Sequence, residues 1–364
     1  MKILFIGPSN IGPYHFARLN SLCRFIPAVV FMRVKIKEQF RPWQDDRLTR
    51  CFEADDFARY RDTREILQKH KPGLVVFTGY KNLPFLKVSF WAKRYLIPVV
   101  VQFDSTFIDY PRNRVKELLK SWIIRYCFDG AFVAGSRSAS YIESLGIDEK
   151  AVWHGVDVVD NAHFDERKCV IGLPSNFPEQ FFLVVSRFSQ EKNIFRLFQA
   201  FESYKKNGGR WGLFIVGSGP LEERLKRSVP EKLKNFIHFY GWSKYEDLPK
   251  IYQRASCFVL PSISEPWGLV VNEAMAAGLP ILISCNCGCS PELCKEEKNG
   301  FTFNPLDIKQ IAKLMERVSN GGMDLKAMGE ESKRIISKYS VENWVVQILS
   351  MVKTLTDKIK GDNK

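Results

Sequence analysis

The chain has 364 residues, 45% hydrophobic and 26% charged, an ordinary globular composition with length enough for two domains that each hold a core. Its formal net charge of +14 points to anionic partners, with phosphates, nucleic acid and acidic membrane as candidates. No apolar run reaches the roughly 18–20 residues that span a bilayer, and nine cysteines are an odd number for a disulfide framework, so reduced thiols are expected.

Met1-Lys2 leads straight into Ile3–Ile6, too short for the apolar core of a signal peptide and better read as a first strand. The expected place is therefore the cytoplasm or, peripherally, the inner face of the plasma membrane. Lys2–Gly7 is the strand, Pro8-Ser9-Asn10-Ile11-Gly12 a Gly-containing turn, and His15–Arg24 the helix after it, the opening of a Rossmann-like unit. The turn lacks the G-x-G-x-x-G spacing, which argues against a nicotinamide or flavin cofactor. Further strands are expected at Ala28–Phe31, Gly73–Thr78, Pro98–Phe103 and Gly130–Ala134, and helices at Asp56–His70, Phe85–Tyr95, Arg114–Phe128 and Ser138–Leu145. Such alternation argues for a parallel sheet covered on both faces.

Trp153–Asp160 and the polar Asn161–Glu179 read as the crossing to a second Rossmann-like domain. Its strands are expected at Phe181–Ser186, Trp211–Val216, Phe236–Tyr240, Ser256–Leu260 and Pro280–Ser284, with a helix at Ile194–Asn207. Ser340–Asp357 is a last amphipathic helix whose stripe holds Val341, Trp344, Val345, Ile348, Met351 and Val352. The expected domains are residues 1–165 and 175–339, followed by the helix over 340–357.

Chemistry gathers in PSISEPWGLVVNEAMAAGLPILISCNCGCSPEL, residues 261–293, which reads as loop, helix, strand and a second loop. Pro266 suits a first helical turn, and Gly278 with Pro280 stops the helix. Ligands of open parallel sheets bind beyond the carboxyl ends of strands, where helix N-termini attract anions. Glu265 in the loop and Glu273 two turns later suit a ligand with both hydroxyls and phosphates, since a carboxylate accepts from a diol while the N–H groups of Gly268, Leu269 and Val270 hold a diphosphate. Arg187 and Lys192, five residues apart after Phe181–Ser186, can neutralise a diphosphate. The plainer readings are a solvated helix residue at Glu273, a carboxylate stabilising a helix N-terminus at Glu265, solvated loop cations at Arg187 and Lys192 and, at Gly217-Ser218-Gly219-Pro220, a tight turn. Cys285, Cys287, Cys289 and Cys294 have the look of a soft-metal site, but zinc pairs prefer wider gaps and no histidine lies nearby, so a packed loop is expected.

Glu265, Trp267, Gly268, Glu273, Gly278, Pro280 and Gly288 together resemble the signature of the retaining GT-B glycosyltransferases that make bacterial surface glycans, the group 1 or family 4 type. The resemblance implies an α/β fold of two Rossmann-like domains facing across a cleft, with the last helix crossing back to the first. It implies hexose transfer from a nucleoside diphosphate sugar to a glycan acceptor, lipid-linked, with retention of configuration and with no metal or other cofactor. In that family Arg187 and Lys192 match residues on the leaving diphosphate, and Gly217 one that approaches the nucleotide. Glu265 orients the hexose, Glu273 holds the ribose, and Trp267, Gly268, Leu269 and Val270 complete the donor site. Gly12, His15 and Asp104 are assigned to the acceptor side or to its loop, the plainer reading of the first turn being structural. Asp104 stands where many relatives carry a histidine, and with Glu265, Arg187 and Lys192 it makes the expected catalytic set.

A sugar-nucleotide epimerase shares this fold and is the alternative enzyme; a nucleic-acid-binding protein would rest on charge alone. One basic segment keeps two readings. Lys81–Arg125 holds nine basic and three acidic residues interspersed with aromatics. Either helix Arg114–Phe128 turns Val115, Leu118, Leu119 and Trp122 to its own sheet, or the segment rests on an anionic membrane surface.

Overall fold

The computed structural model describes residues 1–8, 11–26, 28–34, 52–80, 83–109, 112–165, 171–175 and 177–362. Ser9 and Asn10 of the first turn, Lys81 and Tyr110 of the basic segment, and residues 166–170 and 176 of the polar crossing lie outside them. The chain forms two units, Met1–Asp160 with Ser340–Lys364, and Asn161–Tyr339.

In the first unit the strands are β1 (Ile3–Pro8), β2 (Val29–Val34), β3 (Glu53–Asp56), β4 (Leu74–Phe77), β5 (Val99–Phe103), β6 (Gly130–Val133) and β7 (Val152–His154). They pair in parallel in the order β3-β2-β1-β4-β5-β6-β7. The inner strands are continuous apolar runs because both faces are covered; Val99, Val100 and Val101 are all fully buried. Helices α1 (Pro13–Cys23), α2 (Thr63–His70), α3 (Leu83–Arg94), α4 (Arg114–Cys127) and α5 (Ser136–Ser144) connect them.

The second unit repeats the plan with β8 (Phe181–Val185), β9 (Gly212–Val216), β10 (Ile237–Gly241), β11 (Cys257–Leu260), β12 (Ile281–Ser284) and β13 (Gly300–Phe303), all parallel, in the order β10-β9-β8-β11-β12-β13. Its core is built from the inward side chains of these strands and of helices Ile194–Lys206 and Ile308–Ser319.

Three expectations are corrected. Asp56–His70 is not one helix: Asp56 ends β3, Phe57–Arg59 is a single turn, and α2 begins at Thr63 under an Asp62 cap, whose carboxylate accepts from Arg64 N at 2.9 Å. The break forms because the chain wraps Asp55, which accepts from Tyr60 Oη, from Lys69 Nζ at 2.8 Å and from the Asp56 amide at 2.8 Å. Pro266 is not in a first helical turn, since Gly268 at φ +104° breaks the chain and the helix spans Leu269–Ala276. Strands β3, β7 and β13 were not expected, and all are sheet edges.

The last helix, Val341–Asp362, belongs to the first unit and packs on α1 and β7. Its stripe residues Val341, Trp344, Val345, Ile348 and Met351 are buried, and Val352 is half-buried. The Trp344 ring lies 6.0 Å from Phe5 on β1 and 5.9 Å from Phe132 on β6. Trp344→Ala is therefore expected to cost about 3–5 kcal/mol of unfolding free energy, as truncating a buried large aromatic does. Chemical denaturation followed by circular dichroism measures it.

Candidate functional site

The order of the second sheet reverses at β8: β9 and β10 follow on one side, β11 to β13 on the other. The loops leaving β8 and β11 diverge, and that switch point is where parallel sheets open a crevice for ligands. The first loop carries Arg187 and Lys192, the second Glu265.

The two loops are tied together. Ile263 N donates to Glu191 O at 2.8 Å. Asn193, buried and held at φ +58°, donates from Nδ2 to Pro261 O at 3.0 Å and to Pro305 O at 2.8 Å, joining the loops after β8, β11 and β13. Asparagine is among the few non-glycine residues that visit this left-handed conformation readily. On that frame Lys192 Nζ forms an ion pair with Glu265 Oε2, their side chains 17% and 12% exposed. Ser262 Oγ donates to the same carboxylate at 3.2 Å. Arg187 is exposed at the start of the first loop. Burial raises the Glu191 carboxyl, yet the Ser189 hydroxyl bond, its own amide and the nearby Lys192 and Arg187 hold it below its usual range.

Gly217, at φ +134°, lets the turn after β9 nest against the Arg187 loop: a Cβ there would lie 1.9 Å from Ser186 O. Phe188 N donates to Ser218 O at 2.9 Å, and Leu221 N to Phe188 O at 3.0 Å. Gly268, Leu269 and Val270 open the helix start beside Glu265. The Trp267 side chain is buried; its Nε1 donates to Asn272 Oδ1 at 3.0 Å and its ring meets Tyr339 at 5.9 Å, so it anchors the loop. Glu273 is fully buried too, contrary to a solvated reading, and accepts from Tyr252 Oη at 2.6 Å.

The cysteine-rich loop is a brace. Gly288 N donates to Glu265 O at 2.8 Å, Cys289 N to Trp267 O at 3.2 Å, and Asn286 Nδ2 to Ile263 O at 2.9 Å. Cys287 and Cys289 are fully buried, and burial pushes the Cys289 thiol far up. Among the described residues the group with metal-ligand spacing is Glu53, Asp55 and His70 of the first unit, which includes none of these cysteines. There Lys69 already sits 2.8 Å from Asp55 Oδ2 and Arg59 3.2 Å from Oδ1.

Gly12, His15 and Asp104 belong to the first unit. Gly12 caps α1 at φ −80°, where a Cβ would meet nothing within 4 Å, so neither conformation nor packing demands a glycine. His15 is half-buried with its ring edge on Phe31 at 6.5 Å. Asp104 is exposed just past β5, and its backbone oxygen accepts from Ser138 Oγ at 3.0 Å. Burial lifts the carboxyl of Asp157 well above the usual range, with the Asp104 charge adding and Arg18 opposing. Arg18 is itself buried, donating from Nε to Tyr14 O at 3.0 Å and also to Val156 O. Sequence reasoning missed Arg18, Asp157, Tyr252 and the tie made by Asn193. Arg18 sits within an ordinary helix and carried no signal; Asn193, at the junction of a cationic loop and a helix, carried one.

Residues 172–335 match the family model described as "Glycosyl transferases group 1". The chain is similar to sulfoquinovosyl transferase SQD2 of Arabidopsis thaliana, 27% identical over 78% of this chain and 55% of that one. It is also similar to O-antigen chain mannosyltransferase C of Escherichia coli, 23% identical over 83% and 78%. It spans about half the length of the first curated relatives it matches. The solved structure of Anabaena Alr3699/HepE in complex with UDP aligns with 97% of this chain and all of its own at a TM-score of 0.77 and 15% identity, a shared GT-B fold.

A Cβ on Gly288 would lie 1.7 Å from Pro266 O. Gly288→Ala is expected to cost about 1–3 kcal/mol through forced loop displacement, and Gly12→Ala less than about 1 kcal/mol. Urea melts of the two variants give the comparison.

Proposed function

We propose that the chain, whose residues 172–335 match the model of the group 1 glycosyl transferases, moves a hexose from a nucleoside diphosphate sugar to a lipid-linked glycan acceptor with retention of anomeric configuration. The product is a cell-surface polysaccharide, a reading supported by the likeness to an O-antigen chain mannosyltransferase. The observation that carries it is the Lys192–Glu265 pair at the switch point of β8 and β11. A cation for phosphate and a carboxylate for sugar hydroxyls stand in contact on loops fixed by a backbone bond and by the Asn193 side chain.

In this reading the second unit holds the donor. Arg187 and Lys192 take the diphosphate, joined by the N–H groups of Gly268, Leu269 and Val270, and Gly217 lets the turn after β9 approach the nucleotide. Glu265 accepts from the hexose hydroxyls. Glu273 is the ribose partner, which requires its covered carboxylate to share its bond from Tyr252 when nucleotide arrives. As the bond from the anomeric carbon to the phosphate oxygen breaks, the cations and helix start stabilise the leaving charge, so this reading needs no divalent ion. The acceptor oxygen bonds to the same face of that carbon, and the leaving phosphate takes its proton. Asp104 is assigned to the acceptor or to the positive charge growing on the sugar, with Gly12 and His15 on the acceptor side.

Thermal unfolding in a panel of UDP-, GDP- and ADP-sugars tests the reading. One base is expected to stabilise the chain by about 2.7 kcal/mol at 100 times its dissociation constant. Chelation is expected to leave turnover unchanged, and Asp104→Asn to cut turnover while sparing donor stabilisation. Glu273→Ala is expected to abolish nucleotide stabilisation and also lower intrinsic stability, because it strips Tyr252 of a buried partner. Stabilisation by none of the donors overturns the reading; donor conversion that needs no acceptor transfers the site to an epimerase.

A further inference from the structure

Helix α4 is apolar on the wrong side for its fold. Only Ile124 and Cys127 of α4 are buried. Val115, Leu118, Leu119 and Trp122, spaced as one helix face, are 65%, 72%, 62% and 73% exposed. Tyr126 extends the stripe and stacks on Trp122 at 5.9 Å and 7°. The sequence reading that turned this stripe onto the sheet is corrected: the sheet is covered there by the opposite, narrower face. Between the stripe and α3 runs an apolar groove of about 320 Å³ walled by Phe90, Trp91, Trp122 and Tyr126. Soluble monomers rarely leave a large contiguous apolar patch without a partner for it.

The charges that α3 and α4 expose beside the patch are basic. Lys87 and Arg94 on α3 and Arg114, Lys116 and Arg125 on α4 are exposed. Helix α3 contains no acidic residue. The single one in α4, Glu117, is half-buried and accepts from Tyr141 Oη at 2.6 Å. Lys93, by contrast, pairs with Asp129 at 3.0 Å, and Lys120 with Glu117 at 3.4 Å, so these two belong less to the surface than their positions in the sequence suggest.

We infer that the α3–α4 face docks on an anionic lipid bilayer, with Leu118, Leu119 and Trp122 in the boundary between headgroups and acyl chains and the flanking cations on lipid phosphates. Aromatic and aliphatic residues ringed by Lys and Arg have the chemistry of an interfacial helix, bound by apolar burial together with charge. A second copy of the chain fits less well, because a twofold contact would set these cations against their own copies, and the nearby carboxylates Asp62, Glu117 and Asp129 are already engaged by Arg64, Tyr141 and Lys93. Among the described residues no helix is long and apolar enough to cross a membrane, so the contact lies on the surface. The inference is independent of the chemistry proposed for the second unit.

Flotation of the full chain with vesicles tests it, comparing phosphatidylcholine alone with an equal mixture of phosphatidylcholine and phosphatidylglycerol. Binding is expected to the mixture at low salt, to fall as salt screens the charges, and to be weak with phosphatidylcholine alone. Lys116→Gln with Arg125→Gln is expected to lower partitioning about 25-fold, roughly fivefold per cation. Leu118→Ser with Trp122→Ser is expected to abolish binding without lowering the melting temperature, since both side chains are exposed. Equal binding to both vesicles, no binding to the anionic ones, or binding that survives the apolar substitutions overturns the inference. So does a dimer in sedimentation that the apolar substitutions convert to monomer, which would assign the face to a second copy.

Discussion

A parallel sheet whose strand order reverses leaves two adjacent strands with loops that part company, and their backbone groups then lack the ladder that satisfies the strands themselves. In the second unit this happens between β8 and β11, and the site depends on how the exposed loops find partners. Asn193 supplies two donors to carbonyls of other loops, Ile263 pairs with Glu191, and the Gly288 amide reaches Glu265 O. With the backbones fixed in this way, Lys192 and Glu265 stand in contact across the two loops, and in the proposed reading that fixed geometry is the preorganisation that electrostatic catalysis requires. Gly217 and Gly288 matter for the same reason: each lets a neighbouring loop come closer than any side chain would allow.

Legibility in the sequence followed burial. The inner strands are apolar on both faces, so their runs stood out, as at Val99–Phe103 and Phe181–Val185. Edge strands β3, β7 and β13 escaped because they are short and pair on one side, where polar residues are tolerated; β3 is Glu-Ala-Asp-Asp, and Arg33 of β2 holds its Asp56 at 2.8 Å. Local propensity also misled where tertiary contacts won, as at Asp55, whose partners turn the chain before α2 can start.

Of the candidate site, the part carried by loop chemistry was readable and the part carried by packing was not. Lys192 and Glu265 are 73 positions apart, and it took the resemblance to a known signature, not their spacing, to suggest a common ligand. Spacing could not tell that Trp267 and Glu273 point inward, because a buried carboxylate bonded to a tyrosine has the same sequence pattern as a solvated one. The stripe of α4 shows the converse limit: helical periodicity identifies an apolar face but not which side of the helix the sheet occupies.

The central claim is that Glu265 reads the sugar of the donor while the cations beside it read the diphosphate. Calorimetric titration of Glu265→Gln with a nucleoside diphosphate and with the matching nucleotide sugar separates the two. Losing charge-assisted hydrogen bonds of about 1.5–3 kcal/mol should weaken the sugar nucleotide tenfold or more, while the free diphosphate binds as well as before or better, because Lys192 is released from its carboxylate. Equal weakening of both ligands, or of neither, would contradict the account.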